Sequence, residues 1–110
     1  DTVGPQMLGS THPAPFMTFT FRVAAAWKAR VPEVVHEDGT SRAQVLRREF
    51  NPRYYDLMLE MEKLTGNGVV LNTSLNRRGE PMICSPTDAL DMFFGSDLRY
   101  LIMEDVLVTK

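Results

Sequence analysis

Residues 51–73 read Asn-Pro-Arg-Tyr-Tyr-Asp-Leu-Met-Leu-Glu-Met-Glu-Lys-Leu-Thr-Gly-Asn-Gly-Val-Val-Leu-Asn-Thr, and their pattern decides the fold class. Asn51 suits an N-cap, Pro52 the first helical position, and Gly66 a C-terminal stop. Between them Tyr54, Leu57, Met58, Met61 and Leu64 fall on the i, i+3, i+4, i+7, i+10 stripe of an amphipathic helix, which is read as core. Gly68–Thr73 then turns nearly all apolar, the pattern of a short strand buried on both faces. A helix feeding such a strand is the grammar of an α/β fold.

Working outward, Ser85-Pro86-Thr87-Asp88 repeats the helix-start signal, and that helix runs to about Phe94 and Gly95. Tyr100–Met103 and Val106–Val108 read as closing strands. Upstream, Phe16, Met17, Phe19, Phe21 and Val23 nearly alternate with Thr18, Thr20 and Arg22, which predicts a strand. Ala24–Ala29 around Trp27 fits a short helix or a turn, ended by Pro32. An Asp38-Gly39 turn follows, and Arg42–Phe50 alternates weakly as a second strand. Residues 1–15 hold three prolines and two glycines without periodicity and read as a loose N-terminal arm. Residues 16–110 are thus expected to form an α/β domain, a mixed sheet with two main helices.

Composition bounds the function. At 110 residues there is room for one small domain, and 44% apolar with 24% charged residues argues against disorder. No apolar run approaches the roughly 18–20 residues of a membrane span, and no signal pattern opens the chain. Twelve Lys+Arg against fourteen Asp+Glu give a net charge of -2, so no global field recruits nucleic acid, and any anion site must be local. The single Cys84 cannot close an intrachain disulfide, which fits a reducing, cytoplasmic setting. Because Asp1 and not Met opens the sequence, the chain is expected to be a piece of a larger protein, whose remainder is an expected partner.

Two polar segments carry candidate chemistry. Val35-His36-Glu37-Asp38-Gly39-Thr40-Ser41-Arg42 gathers an imidazole, carboxylates, hydroxyls and a guanidinium around a glycine. A Gly-flexed loop can aim backbone N–H groups inward while arginine forks onto phosphate or carboxylate oxygens. The plainer reading is a solvated hairpin turn. His36-x-Asp38 has a metal-site spacing, but no second His/Cys cluster accompanies it, and no metal is expected. The second segment, Asn72 to Pro81, leaves the end of the apolar strand, where ligands of α/β sheets gather. Ser74 and Asn76 would offer a hydroxyl and an amide on one side, with Arg77 and Arg78 nearby for negative charge. An ordinary polar connection is the competing reading. Ser74 has no adjacent base, so a Ser/His/Asp hydrolase is a poor fit. Cys84 is read as a small buried apolar residue, and Trp27, Phe93 and Phe94 as packing.

Taken in order, His36-x-Asp38-Gly39-Thr40-x-Arg42-x-Gln44, Asn51-Pro52 with Tyr55, Thr65-Gly66, Leu71-Asn72-Thr73-Ser74-x-Asn76, Gly79-Glu80-Pro81 and Pro86-x-Asp88-Ala89-Leu90 form a series. This series resembles the C-terminal domain of the NodU/CmcH carbamoyltransferases, from about Phe16 to the end of the chain. The resemblance implies a partial YrdC-like α/β fold within a two-domain enzyme of biosynthesis. That part would react carbamoyl phosphate with ATP and its Mg2+, giving carbamoyl-adenylate and pyrophosphate. A separate N-terminal domain, which carries the metal ion, would pass the carbamoyl group to a hydroxyl acceptor.

Carried over by motif, Arg42 is the catalytic candidate and would hold a phosphate or the carbamoyl group. Ser74 and Asn76 match the Ser-x-Asn element that binds nucleotide phosphate and small substrate, with Arg78 close in sequence. His36, Asp38 and Thr40 would shape the pocket wall. The family also carries an upstream basic segment without equivalent in residues 1–15. An incomplete site, and little turnover from these residues alone, are therefore expected. The alternative is a non-catalytic YrdC-like module that binds nucleotide or RNA.

Overall fold

The computed structural model describes residues 3–110. It divides into two compact units, the first running to Leu71 and the second from Asn72 to Lys110.

In the first unit a helix, α1 (Val3–Leu8), precedes a short strand, β1 (Phe21–Arg22), and a one-turn helix, α2 (Ala25–Lys28). A 3-10 turn over Pro32–Val34, strand β2 (Thr40–Ser41) and helix α3 (Pro52–Thr65) follow. Met7, Leu8, Val23, Trp27 and Val31 are its buried cluster. Residues 3–15 are therefore not a loose arm, whereas residues 1 and 2 of that expected arm lie outside the described residues. α1 carries Met7 and Leu8 into the core, and the Met7 carbonyl accepts from Ala24 N at 2.8 Å. Farther along, Ala14 O accepts from Val45 N at 2.7 Å and Pro15 O from Gln44 Nε2 at 3.0 Å. Gly4 and Pro5 sit in the first helical turn, where an amide lacks an intrahelical partner anyway, so their breaker character costs little. Pro32 likewise opens a turn instead of only ending one.

Three expected strands are cut back or absent. Only Phe21–Arg22 of the first pairs, antiparallel to Thr40–Ser41, with Phe21 opposite Ser41 and Arg22 opposite Thr40. Upstream of it the chain turns after Pro15, where Thr18 N donates to Phe16 O at 2.9 Å. Neither Arg42–Phe50 nor Gly68–Thr73 belongs to a strand. Extended backbone becomes a strand only where a neighbour takes up its N–H and C=O groups. Among the described residues 68–73 joins no strand ladder.

Helix α3 starts and stops where its caps dictate. Asn51 Oδ1 accepts from Tyr54 N at 3.0 Å, and Gly66 adopts φ +74°, its N–H bonding Glu62 O at 2.8 Å. Only glycine takes that left-handed conformation without strain. The Arg30 guanidinium lies 4.1 Å from the Trp27 ring centroid and donates to Gly66 O and Asn67 Oδ1, tying α2 to the end of α3. The apolar stripe of α3 is not core, however. No α3 residue is buried, and Leu57 and Leu64 are 51% and 82% exposed.

The second unit packs helix α4 (Pro86–Phe94) against an antiparallel hairpin of β3 (Tyr100–Met103) and β4 (Val106–Thr109). The Ser85 hydroxyl caps α4, accepting from Asp88 N at 3.1 Å. Leu101 faces Val108 across the hairpin, and Met103 faces Val106. Phe93 is wholly buried beside Ala89 and Leu101, whereas its neighbour Phe94 is exposed. The α/β class holds, with both main helices where the sequence puts them. Instead of one mixed sheet, the described residues form two antiparallel pairs of strands.

Candidate functional site

The first unit gathers His36, Asp38 and Thr40 in one tight turn. Gly39 takes φ +78°, which lets its N–H bond His36 O at 2.8 Å while His36 N reaches Thr40 O at 2.7 Å. Within that turn Asp38 Oδ1 accepts from the Thr40 hydroxyl at 2.7 Å and from Thr40 N at 3.0 Å. The Thr40 hydroxyl also contacts His36 Nδ1 at 3.1 Å. The Thr40 hydroxyl, foremost, and its backbone N–H hold the Asp38 carboxyl below the usual carboxylate range, with smaller help from the charges of His36 and Arg22. Asp38 is therefore a committed anion at neutral pH, turned inward on the loop.

Arg42 follows directly after β2. It is exposed and makes no hydrogen bond or ion pair among the described residues, so its fork is free for an anion. Two further cations border this turn that sequence reasoning did not single out. Arg22 is the cross-strand neighbour of Thr40, and the Lys28 chain lies over Gly39, its Cε 3.2 Å from where a Cβ would stand. The flexible end of Lys28 could swing aside from a β-carbon there, so the positive φ is what calls for glycine. A hairpin pairing of 21–22 with 40–41 was the signal that would have exposed Arg22.

In the second unit, Ser74 and Asn76 are brought together, but mainly for each other. The Ser74 hydroxyl donates to Asn76 Oδ1, and Asn76 Nδ2 donates to Glu80 O at 2.8 Å and Arg77 O at 3.2 Å. Asn76 thus clamps the loop that Gly79, at φ +87°, turns back. Arg77 is also spent on structure. Its Nη2 donates to Asp91 O at 2.7 Å near the end of α4, and its Nη1 lies 3.7 Å from Glu80 Oε1. A cation there meets the negative end of the helix. Arg78 is exposed without a polar partner among the described residues. Arg42 belongs to one unit, and Ser74, Asn76 and Arg78 to the other.

A concavity of about 170 Å3 in the first unit is lined by Pro5, His12, Pro15, Val45, Arg47 and Phe50, among others, and by none of the candidate residues. Among the described residues no group of three or more His, Cys, Asp or Glu has a metal-site arrangement, and no helix is long and apolar enough to cross a membrane.

Cys84 corrects its reading as a buried apolar residue. It is exposed, and its Sγ lies 3.4 Å from Asp88 Oδ2. Hydrogen bonding to the Asp88 carboxylate, then that carboxylate's charge, pushes the thiol above its ordinary value. The nucleophile is the thiolate, so alkylation of Cys84 by iodoacetamide should rise at higher pH than that of a free cysteine peptide. Asp88→Asn should move this profile back toward lower pH. A wild-type midpoint at or below the peptide's would contradict the Cys84–Asp88 contact.

Comparison with known proteins agrees with the motif series. A family model described as carbamoyltransferase C-terminus matches residues 2–110. The nodulation protein NolO of Bradyrhizobium diazoefficiens is 38% identical over 100 residues, covering 91% of this chain and 18% of that protein. An uncharacterised protein of Synechocystis sp. is 41% identical over 83 residues, or 76% of this chain and 14% of its own length. Nodulation protein U of Rhizobium tropici is 35% identical over 79 residues, 72% of this chain and 14% of the relative. The chain thus spans only 14% to 18% of the length of these three relatives.

Proposed function

This chain belongs to the carbamoyltransferase C-terminus family, and from that premise we propose that it is the C-terminal part of an O-carbamoyltransferase. In this reading it binds ATP, with Mg2+, and carbamoyl phosphate, and forms carbamoyl-adenylate that a separate N-terminal domain transfers to a hydroxyl. The family match over nearly the whole chain carries the proposal. The exposed, unpaired guanidiniums of Arg42 and Arg78, and the cations Arg22 and Lys28 beside the 36–42 turn, support it.

The atoms require three products. Of the four phosphorus atoms in the two substrates, one stays in the adenylate and two leave as pyrophosphate. The last departs as inorganic phosphate, which consumes one water. A carbamate oxygen then forms the new bond to the α-phosphorus of ATP as the bond to the β-phosphate breaks. Negative charge builds on phosphoryl oxygens throughout, so arginines and loop amides are suitable equipment and no protein nucleophile is needed. Arg42 would hold the phosphate or carbamoyl oxygen bidentately. In the second unit, taken by itself, the motif makes Ser74, whose oxygen keeps lone pairs, and Arg78 candidate ligand groups, with Asn76 holding the 74–81 loop in shape.

The full-length protein should exchange radiolabelled pyrophosphate into ATP only when carbamoyl phosphate is present. Exchange independent of carbamoyl phosphate, or none with both substrates bound, overturns the adenylation reading. The 110-residue chain by itself is expected to turn over little. Binding of a short RNA, with no heat from ATP or carbamoyl phosphate, would instead favour a nucleic-acid module.

A further inference from the structure

The 36–40 turn leaves one ring nitrogen uncommitted, and the hydrogen count says which. Asp38 is a carboxylate and can only accept. Its Oδ1 lies 2.7 Å from Thr40 Oγ1, a separation two oxygens tolerate only with a hydrogen between them, so the threonine's one hydroxyl hydrogen goes to Asp38. At the 3.1 Å contact with His36 Nδ1, Thr40 Oγ1 is then left as acceptor and Nδ1 must donate. In neutral imidazole one nitrogen donates and the other accepts. In the neutral ring His36 Nε2 is then the lone-pair nitrogen, on an exposed residue and with no partner among the described residues.

A lone pair repels phosphoryl oxygens and attracts N–H and O–H groups. Around the same turn Arg22, Lys28 and Arg42 already suit anions. We propose that Asp38 and Thr40 lock His36 in its Nδ1–H tautomer so that Nε2 receives a hydrogen-bond donor of the bound substrate. His36 thereby acts as a specificity residue for a neutral donor group. Two groups in the proposed substrates have this chemistry, the carbamoyl amino group and a ribose hydroxyl. The assignment of Nε2 to a substrate rests on the function proposed above; the tautomer does not.

Two measurements test it separately. Long-range 15N–1H correlation spectra of the 110-residue chain at pH 8, where free imidazole is neutral, should show His36 Nδ1 protonated and Nε2 unprotonated. Thr40→Val should shift the population toward Nε2–H, and Thr40→Ser should restore it. Wild-type His36 with Nε2 protonated overturns the proposal.

Calorimetry on the full-length protein then compares carbamoyl phosphate with acetyl phosphate, and ATP with 2′,3′-dideoxy-ATP. One member of each pair lacks the donor. Wild type should prefer the donor-bearing ligand of one pair by about tenfold, the worth of one hydrogen bond. His36→Phe should erase that preference while binding of the other pair is kept, and the affected pair identifies the donor. Preferences unchanged in His36→Phe overturn the substrate contact. No binding of either substrate by wild type overturns the proposed function and this contact together, whatever the tautomer spectrum shows.

Discussion

Arg42→Ala in the full-length protein is expected to cut carbamoyl-phosphate-dependent ATP–pyrophosphate exchange by on the order of 100-fold or more, the loss typical of removing a key donor to a developing oxyanion. The guanidinium is exposed and has no partner among the described residues, so nothing in the fold competes for it. Arg42→Lys should also fail to restore most of the rate, because an ammonium keeps the charge but loses the planar fork. Folding should be untouched, since an exposed side chain without partners contributes little to stability, and both variants should melt like wild type. Full exchange activity in a well-folded Arg42→Ala protein would remove Arg42 from the site. A collapse in melting temperature would show instead that the residue holds the fold.

Phe93→Ala is expected to have the largest effect on stability. Phe93 is the fully buried large side chain of the second unit, set between Ala89 and Leu101 and touched by Lys110, whose ammonium lies 4.7 Å from its ring. Emptying such a site costs about 3–5 kcal/mol, transfer and cavity terms together. Whole domains are stable by only about 5–15 kcal/mol, so this loss should unfold the second unit or leave it marginal. Amide hydrogen exchange of β3 and β4 reads it directly, with protection falling sharply in Phe93→Ala. Phe94→Ala is the control one position away, where the ring is 63% exposed and protection should barely change. Equal protection in both variants would contradict the packing of α4 on the hairpin.

The local grammar of the chain was legible wherever the deciding interactions lie within one helical turn. Asn51, Pro52 and Gly66 bound α3, and Ser85, Pro86 and Gly95 bound α4, as their capping chemistry requires. The two closing strands were legible too, while their antiparallel pairing and register came from the structure. Of the candidate site, the Asp38-Gly39 turn was readable as a turn. That its members bond one another was not, since it depends on where two side chains swing. Asn76 shows the same limit, as an amide that reads as a ligand in sequence is consumed by two carbonyls of its own loop.

Read alone, the sequence determined the α/β class, the two main helices, the absence of a global positive field, and the series of motifs that marks the carbamoyltransferase family. Only the tertiary structure decided which apolar patterns become core or sheet. The 3–15 segment looks irregular yet seats Met7 and Leu8, while the ideal stripe of α3 stays open and 68–73 pairs with no strand. Periodicity reports which face of a segment would gain from burial. Whether it is buried depends on a second surface distant in sequence, and no pattern within the segment can encode that surface.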